Sequence, residues 1–132
     1  MLFCYAFFYF NMKFNHICLF FFSLLDNVQP GELYVKRVGT DEILIGWGRV
    51  TAPDLTEYVL AAFNDLGILV NSGRVAADSN NLCWLLSSST GGPLIQPATR
   101  YDITLNGRDA GNNDLASNTL QQYTSRLNFT LY

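Results

Sequence analysis

The chain offers few side chains that could do chemistry, and their spacing decides what that chemistry is. A single histidine, His16, lies in an apolar opening stretch, so the remaining body holds neither a Ser-His-Asp nor a Cys-His couple and no histidine for zinc. Asp41 and Glu42 form an adjacent carboxylate pair of the kind that could divide acid and base roles. They sit in the turn "GTDE" ahead of a strand-like run, where two solvated charges are the plainer expectation. The glycines of "GTDEILIGWG" match neither phosphate-binding fingerprint. No catalytic residue, cofactor site or metal site is expected, and the chain is expected not to be an enzyme.

Two further patterns suggest contact rather than catalysis. "GRDAGNND" places Arg108 beside Asp109 and follows them with Asn112 and Asn113. The run resembles the integrin-binding Arg-Gly-Asp tripeptide in content but not in order, because no glycine separates its charges. A polar loop at this point is a candidate partner-binding surface. Asn128-Phe129-Thr130 is an N-glycosylation sequon, which makes Asn128 a candidate glycan site in an exported chain.

The elements that must position these residues are short and regular. After about Pro30 the chain reads as "ELYVKRV" (32–38), "EILIGWGRV" (42–50), "TEYVLAAF" (56–63), "ILVNSGRVAA" (68–77), "NNLCWLLSS" (80–88), "TRYDITLN" (99–106) and "TLQQYTS" (119–125). Apolar residues alternate within most of these runs, and Gly, Pro, Asn or Asp separates them. "GRDAGNNDLASN" (107–118) reads as one long polar loop. Seven such runs without a better helical spacing predict an all-β, seven-stranded antiparallel sandwich.

At 132 residues the chain is long enough for one domain. Beyond residue 25 there are 7 basic and 11 acidic groups, a net charge of −4. That balance argues against nucleic acid and against a polybasic hold on an anionic membrane. The opening 25 residues hold two apolar runs split around Lys13, which fits a single membrane span poorly. From Met12, "MKFNH" is a short cationic start and "ICLFFFSLL" an apolar stretch of signal-peptide length. Residues 1–27 are therefore expected to be a signal peptide or apolar leader, with Met12 as a candidate true start and a cut between Ser23 and Gln29. An uncleaved membrane anchor is the alternative, and the only route to membrane contact. The body then spans 28–126 and a tail 127–132. Cys4 and Cys18 fall in the leader, leaving Cys83 as an odd thiol expected to pack as a small buried hydrophobe. Linkage to another chain is the minority reading.

"PLIQPATRYDITL" (93–105) fixes a turn just ahead of one tyrosine. Tyr101 leads a strict alternation, so its ring is expected inside the sandwich and its hydroxyl needs a partner. Pro97, Ala98 and Thr99 make a bend whose backbone is expected to offer an acceptor. With "ILIGW", "EYVLAAF" and "YTS", this stretch resembles the fibronectin type III family over roughly residues 29 to 126. The resemblance implies a core signature of Trp47, Tyr58 with Leu60, and Pro97, Thr99 and Tyr101, in an immunoglobulin-like fold. It implies that Trp47 packs against the ring of Tyr101. Ala98 departs from the usual glycine and puts the turn type in question. The implied role is non-catalytic contact with an unidentified cell-surface or matrix protein, in adhesion, recognition or as a surface antigen. A structural spacer or fragment of a larger cell-surface receptor is the alternative. Either role places the chain outside the cell, secreted or on the cell surface.

Overall fold

The computed structural model describes residues 28–127. The readings placed on residues 1–27 and on Asn128 lie outside the described residues. Within them the chain forms seven strands: β1 (Leu33–Val38), β2 (Ile43–Trp47), β3 (Glu57–Phe63), β4 (Leu69–Ala76), β5 (Cys83–Leu86), β6 (Arg100–Arg108) and β7 (Asp114–Tyr123). They build two antiparallel sheets, β1-β2-β5 and β4-β3-β6-β7. The predicted sandwich is the observed architecture.

Period-2 patterning explains how the layers close. β2 turns Ile43, Ile45 and Trp47 inward, β3 turns Tyr58, Leu60 and Ala62, and β6 turns Tyr101, Ile103 and Leu105. All nine are at most 2% exposed and form one cluster between the sheets. Ring packing is edge-on between Trp47 and Tyr58, with centroids 5.4 Å apart and planes inclined by 60°. The tryptophan's ring partner is thus Tyr58 on β3, not Tyr101 as expected. Tyr101 lies in the same buried cluster, on β6 of the same sheet as Tyr58.

One side of the sandwich is closed by polar reach from sheet to sheet. Asn71 of β4 donates its side-chain amide to the Ser87 carbonyl at 2.8 Å. Arg49 donates to the carbonyls of Ala77 (2.6 Å) and Ser79 (2.5 Å), pinning the β4–β5 connection. Gly73, expected from the sequence to weaken β4, has a packing reason: a Cβ there would run into the Trp84 indole nitrogen. Trp84 is half-buried against the core. On the other side, Asn118 of β7 donates to the Gly31 carbonyl at 3.0 Å, joining the last strand to the turn before the first.

Two sequence boundaries were misplaced. β5 is only four residues long. β7 begins at Asp114, so the stretch read as a long loop from 107 to 118 is mostly strand. β7 is an edge strand, exposed or half-exposed along its length, so its Ser, Asn, Thr and Gln residues carry no apolar alternation to read.

Candidate functional site

The β6–β7 hairpin holds the sequence-proposed contact residues. Arg108 is the last residue of β6 rather than part of the loop, and only residues 109–113 connect the strands. Asp109 organises that connection from within. Its carboxylate Oδ1 accepts from the backbone N–H groups of Gly111 and Asn113, both at 2.9 Å, and Oδ2 accepts from the Asn113 side chain at 3.0 Å. Asn112 adopts the left-handed conformation at φ 64°, which asparagine tolerates better than most residues. Arg108 pairs with Asp114 through Nε at 2.8 Å. Thr56 donates both its N–H (2.8 Å) and its hydroxyl (3.1 Å) to the Arg108 carbonyl, setting the 52–56 turn against the hairpin. Pro53, Asp54, Thr56, Asp109, Ala110 and Gly111 line a shallow recess between the two loops.

The two charges expected to reach a partner are therefore already engaged inside the hairpin. Hydrogen bonds from Asn113 and Gly111 favour the ionised carboxylate and hold the Asp109 pKa below its ordinary value. A depressed acid contributes loop order that is present above the unfolded pKa and lost as pH falls through the folded one. In an acid titration followed by NMR, the Gly111 and Asn113 amide signals are expected to move with a midpoint below about 3.9, the free aspartate value. A midpoint at or above that value would show that the carboxylate does not hold the loop.

The opposite end of the sandwich differs in character. Phe63 pairs with Asp102 and Arg100 with Tyr123, which places the β3–β4 turn, the start of β6 and the end of β7 together. Leu66 (79% exposed) and Ile68 in that turn, Leu94 ahead of β6 (66%) and Tyr123 leave large apolar surfaces in water. Sequence reading missed this collection because its members come from separate segments.

The turn before β6 also sits at this end. Tyr101 is 1% exposed, and its hydroxyl accepts the Gln96 N–H at 2.8 Å. The turn supplies a donor, where an acceptor was expected. Thr99 donates its hydroxyl to the Pro97 carbonyl at 2.8 Å. Thr124, unremarkable in sequence yet 4% exposed, accepts the Thr99 N–H at 3.0 Å and donates to the Gln96 carbonyl at 2.5 Å. Tyr58 repeats the arrangement by accepting the Val50 N–H at 3.0 Å. A buried strand tyrosine capping a backbone amide just before its own strand, in a three-plus-four-stranded sandwich, decides the architecture. The fold is that of a fibronectin type III domain.

Solved structures agree. The chain resembles the FN1–FN3 domains of chicken CNTN1 at a TM-score of 0.58 and 18% identity, over 74% of this chain and 32% of that one, so it spans about a third of that array. It resembles the fn3 domain of human contactin 1 at a TM-score of 0.57 and 17% identity, covering 80% of this chain and 89% of that domain. A redesigned β-sandwich protein matches at a TM-score of 0.58 and 14% identity, over 78% and 95%. No family model and no curated protein matches the chain.

Ala98 stands where many fibronectin type III domains carry glycine, and it keeps the left-handed turn at φ 50°. An alanine there carries strain of roughly 1–2 kcal/mol, partly offset by the freedom a glycine would lose on folding. Ala98→Gly is expected to raise stability by about 0.5–1 kcal/mol in urea melts. A loss of stability would show that the alanine conformation is relaxed.

Cys83 departs from its sequence reading. It is half-buried on β5 and disulfide-bonded, with a partner outside the described residues. It does not behave as a simple packed thiol. Among the described residues no group of three or more His, Cys, Asp or Glu side chains is arranged to hold a metal.

Proposed function

We propose that the chain is a non-catalytic module for protein–protein contact, working outside the cell in adhesion or recognition. Fibronectin type III folds commonly serve as extracellular interaction modules, and the Cys83 disulfide suits an oxidising compartment. The observation that carries the contact reading is the exposed apolar end: Leu66, Ile68, Leu94 and Tyr123 offer a partner more than scattered surface residues would. The braced hairpin at 109–113 is the second candidate surface, supported by its pre-ordered backbone, which loses little entropy on binding. Its Arg108 and Asp109 would act through the loop shape they maintain, with Asn112 and Asn113 at the exposed tip.

Binding of the fluorescently labelled full chain to intact cells tests the reading. A Leu66→Asp, Leu94→Asp double variant is expected to lose binding while melting like the parent. An Asn112→Lys variant is expected to keep it. Loss in the Asn112 variant alone would move the contact to the hairpin, and absence of saturable binding by the parent would remove the proposal.

A further inference from the structure

Sheet edges in a soluble sandwich are ordinarily blunted by charge, proline, bulges or shortness. Three of the four edge strands follow that rule. β1 carries Lys36, Arg37 and a bulge, β4 carries Arg74, and β5 is only four residues long. β7 does not. It runs for ten residues, and the chain from Leu115 to Ser125 holds no charged residue, proline or glycine. Its one register shift lies at the hairpin end, opposite Gly107 and Arg108. Thr119, Gln121 and Tyr123 are all exposed, so nothing shields this half of the edge.

The ladder fixes which backbone groups point away from the domain. Thr124 donates its N–H to the Thr99 carbonyl, on the β6 side. Strand alternation then turns the backbone groups of Leu120 and Gln122 toward β6 and those of Thr119, Gln121 and Tyr123 outward. Two of the outward groups are held by side chains of the same strand. Asn118 Oδ1 accepts the Thr119 N–H at 2.8 Å, and Gln122 Nε2 donates to the Tyr123 carbonyl at 2.9 Å. The Gln121 N–H and carbonyl, the Thr119 carbonyl and the Tyr123 N–H have no backbone partner among the described residues. The capped donor and the capped acceptor thus flank Gln121 symmetrically, one two residues before it and one two residues after. That is the arrangement an antiparallel copy of the same strand would match.

We infer that two copies of this chain join through β7 about a two-fold axis at Gln121, making their four-stranded sheets one continuous sheet. Each Gln121 faces the other, and Thr119 faces Tyr123 of the second copy. The Thr119 N–H exchanges its Asn118 cap for the Tyr123 carbonyl of the second copy, which gives up its own Gln122 cap. Every facing pair then shares two backbone bonds, as in any antiparallel ladder. The side chains agree with that register. A tyrosine opposite a threonine is a favourable cross-strand pair. Asp102, beside Gln121 on β6, lies three strand spacings from its counterpart, roughly 14 Å and beyond the Debye length of about 8 Å. The pairing engages neither Leu66, Ile68 nor Leu94, so it goes beyond the contact surface proposed above and does not depend on it.

Sedimentation equilibrium of the full chain over a concentration series, paired with amide exchange by NMR, tests the inference. The expected result is a reversible monomer–dimer equilibrium. The Gln121 and Tyr123 amides slow as concentration rises, while the Ser117 amide, outside the paired stretch, does not change. Gln121→Pro removes a donor that the domain itself does not use, and is expected to weaken the dimer by roughly tenfold or more. Gln121→Lys sets two like charges opposite each other on a strand of unaltered backbone, and is expected to act in the same direction. The lysine variant keeps the test decisive should proline unsettle the strand. A monomer at every concentration overturns the inference. So does a dimer that persists in the lysine variant, or one whose Gln121 amide exchanges as fast as in the monomer. Loss of the dimer in the Leu66→Asp, Leu94→Asp variant but not in Gln121→Lys would place self-association at the apolar end and overturn it as well. Cell binding by the parent chain is read separately, so either proposal can fail while the other stands.

Discussion

Replacing Trp47 with alanine is expected to lower stability by about 3–5 kcal/mol. The side chain is fully buried between the sheets, edge-on to Tyr58, at the centre of one continuous cluster. Truncation opens a cavity that the two layers cannot collapse to fill, because the cross-strand ladders hold them apart. The indole nitrogen is buried without a hydrogen-bond partner among the described residues, so the stabilisation arises from packing alone. Trp47→Phe should therefore lose less than Trp47→Ala. Urea denaturation of the two variants provides the check, and an unchanged midpoint for the alanine variant is incompatible with the sandwich core.

Tyr101→Phe removes a single oxygen and should cost about 1–3 kcal/mol. The ring keeps its place, so the loss isolates the hydrogen bond. What is stranded is the Gln96 N–H, which donates to the hydroxyl at 2.8 Å. Thr124 does not compensate, since it already serves the Gln96 carbonyl and the Thr99 N–H. The Gln96 amide should exchange with solvent faster in the variant. Equal stability together with equal exchange would mean that the hydroxyl caps nothing.

How much of this was legible in the sequence follows from where water lies. β3 and β6 were readable because each has one face in the core, so buried and half-exposed residues alternate along them. The first half of β7 was unreadable because edge exposure removes that contrast, and Asn and Ser look the same in an exposed strand as in a loop. The turn before Tyr101 was visible through Pro97 and Thr99, but the direction of its hydrogen bond was not, since a tyrosine hydroxyl both donates and accepts. Thr124 carried no signal, being 23 residues from the tyrosine whose turn it braces. Leu44 was the least legible: the alternation sets it opposite Ile43, Ile45 and Trp47, but nothing in the sequence shows that it is only 1% exposed there.

The Asn118 side chain reaches Gly31, a partner 87 positions earlier in the chain. During synthesis that clasp cannot close until nearly the whole domain has left the ribosome. β1 and β2 can pair early, with the Gly31 N–H on the Gly48 carbonyl, but the Gly31 carbonyl gains its Asn118 partner only when β7 arrives. Contacts of such long sequence separation are paid for late in folding and form slowly. Truncated or stalled chains ending before residue 118 should thus hold the first turn through Gly48 alone, without the clasp that joins it to the last strand.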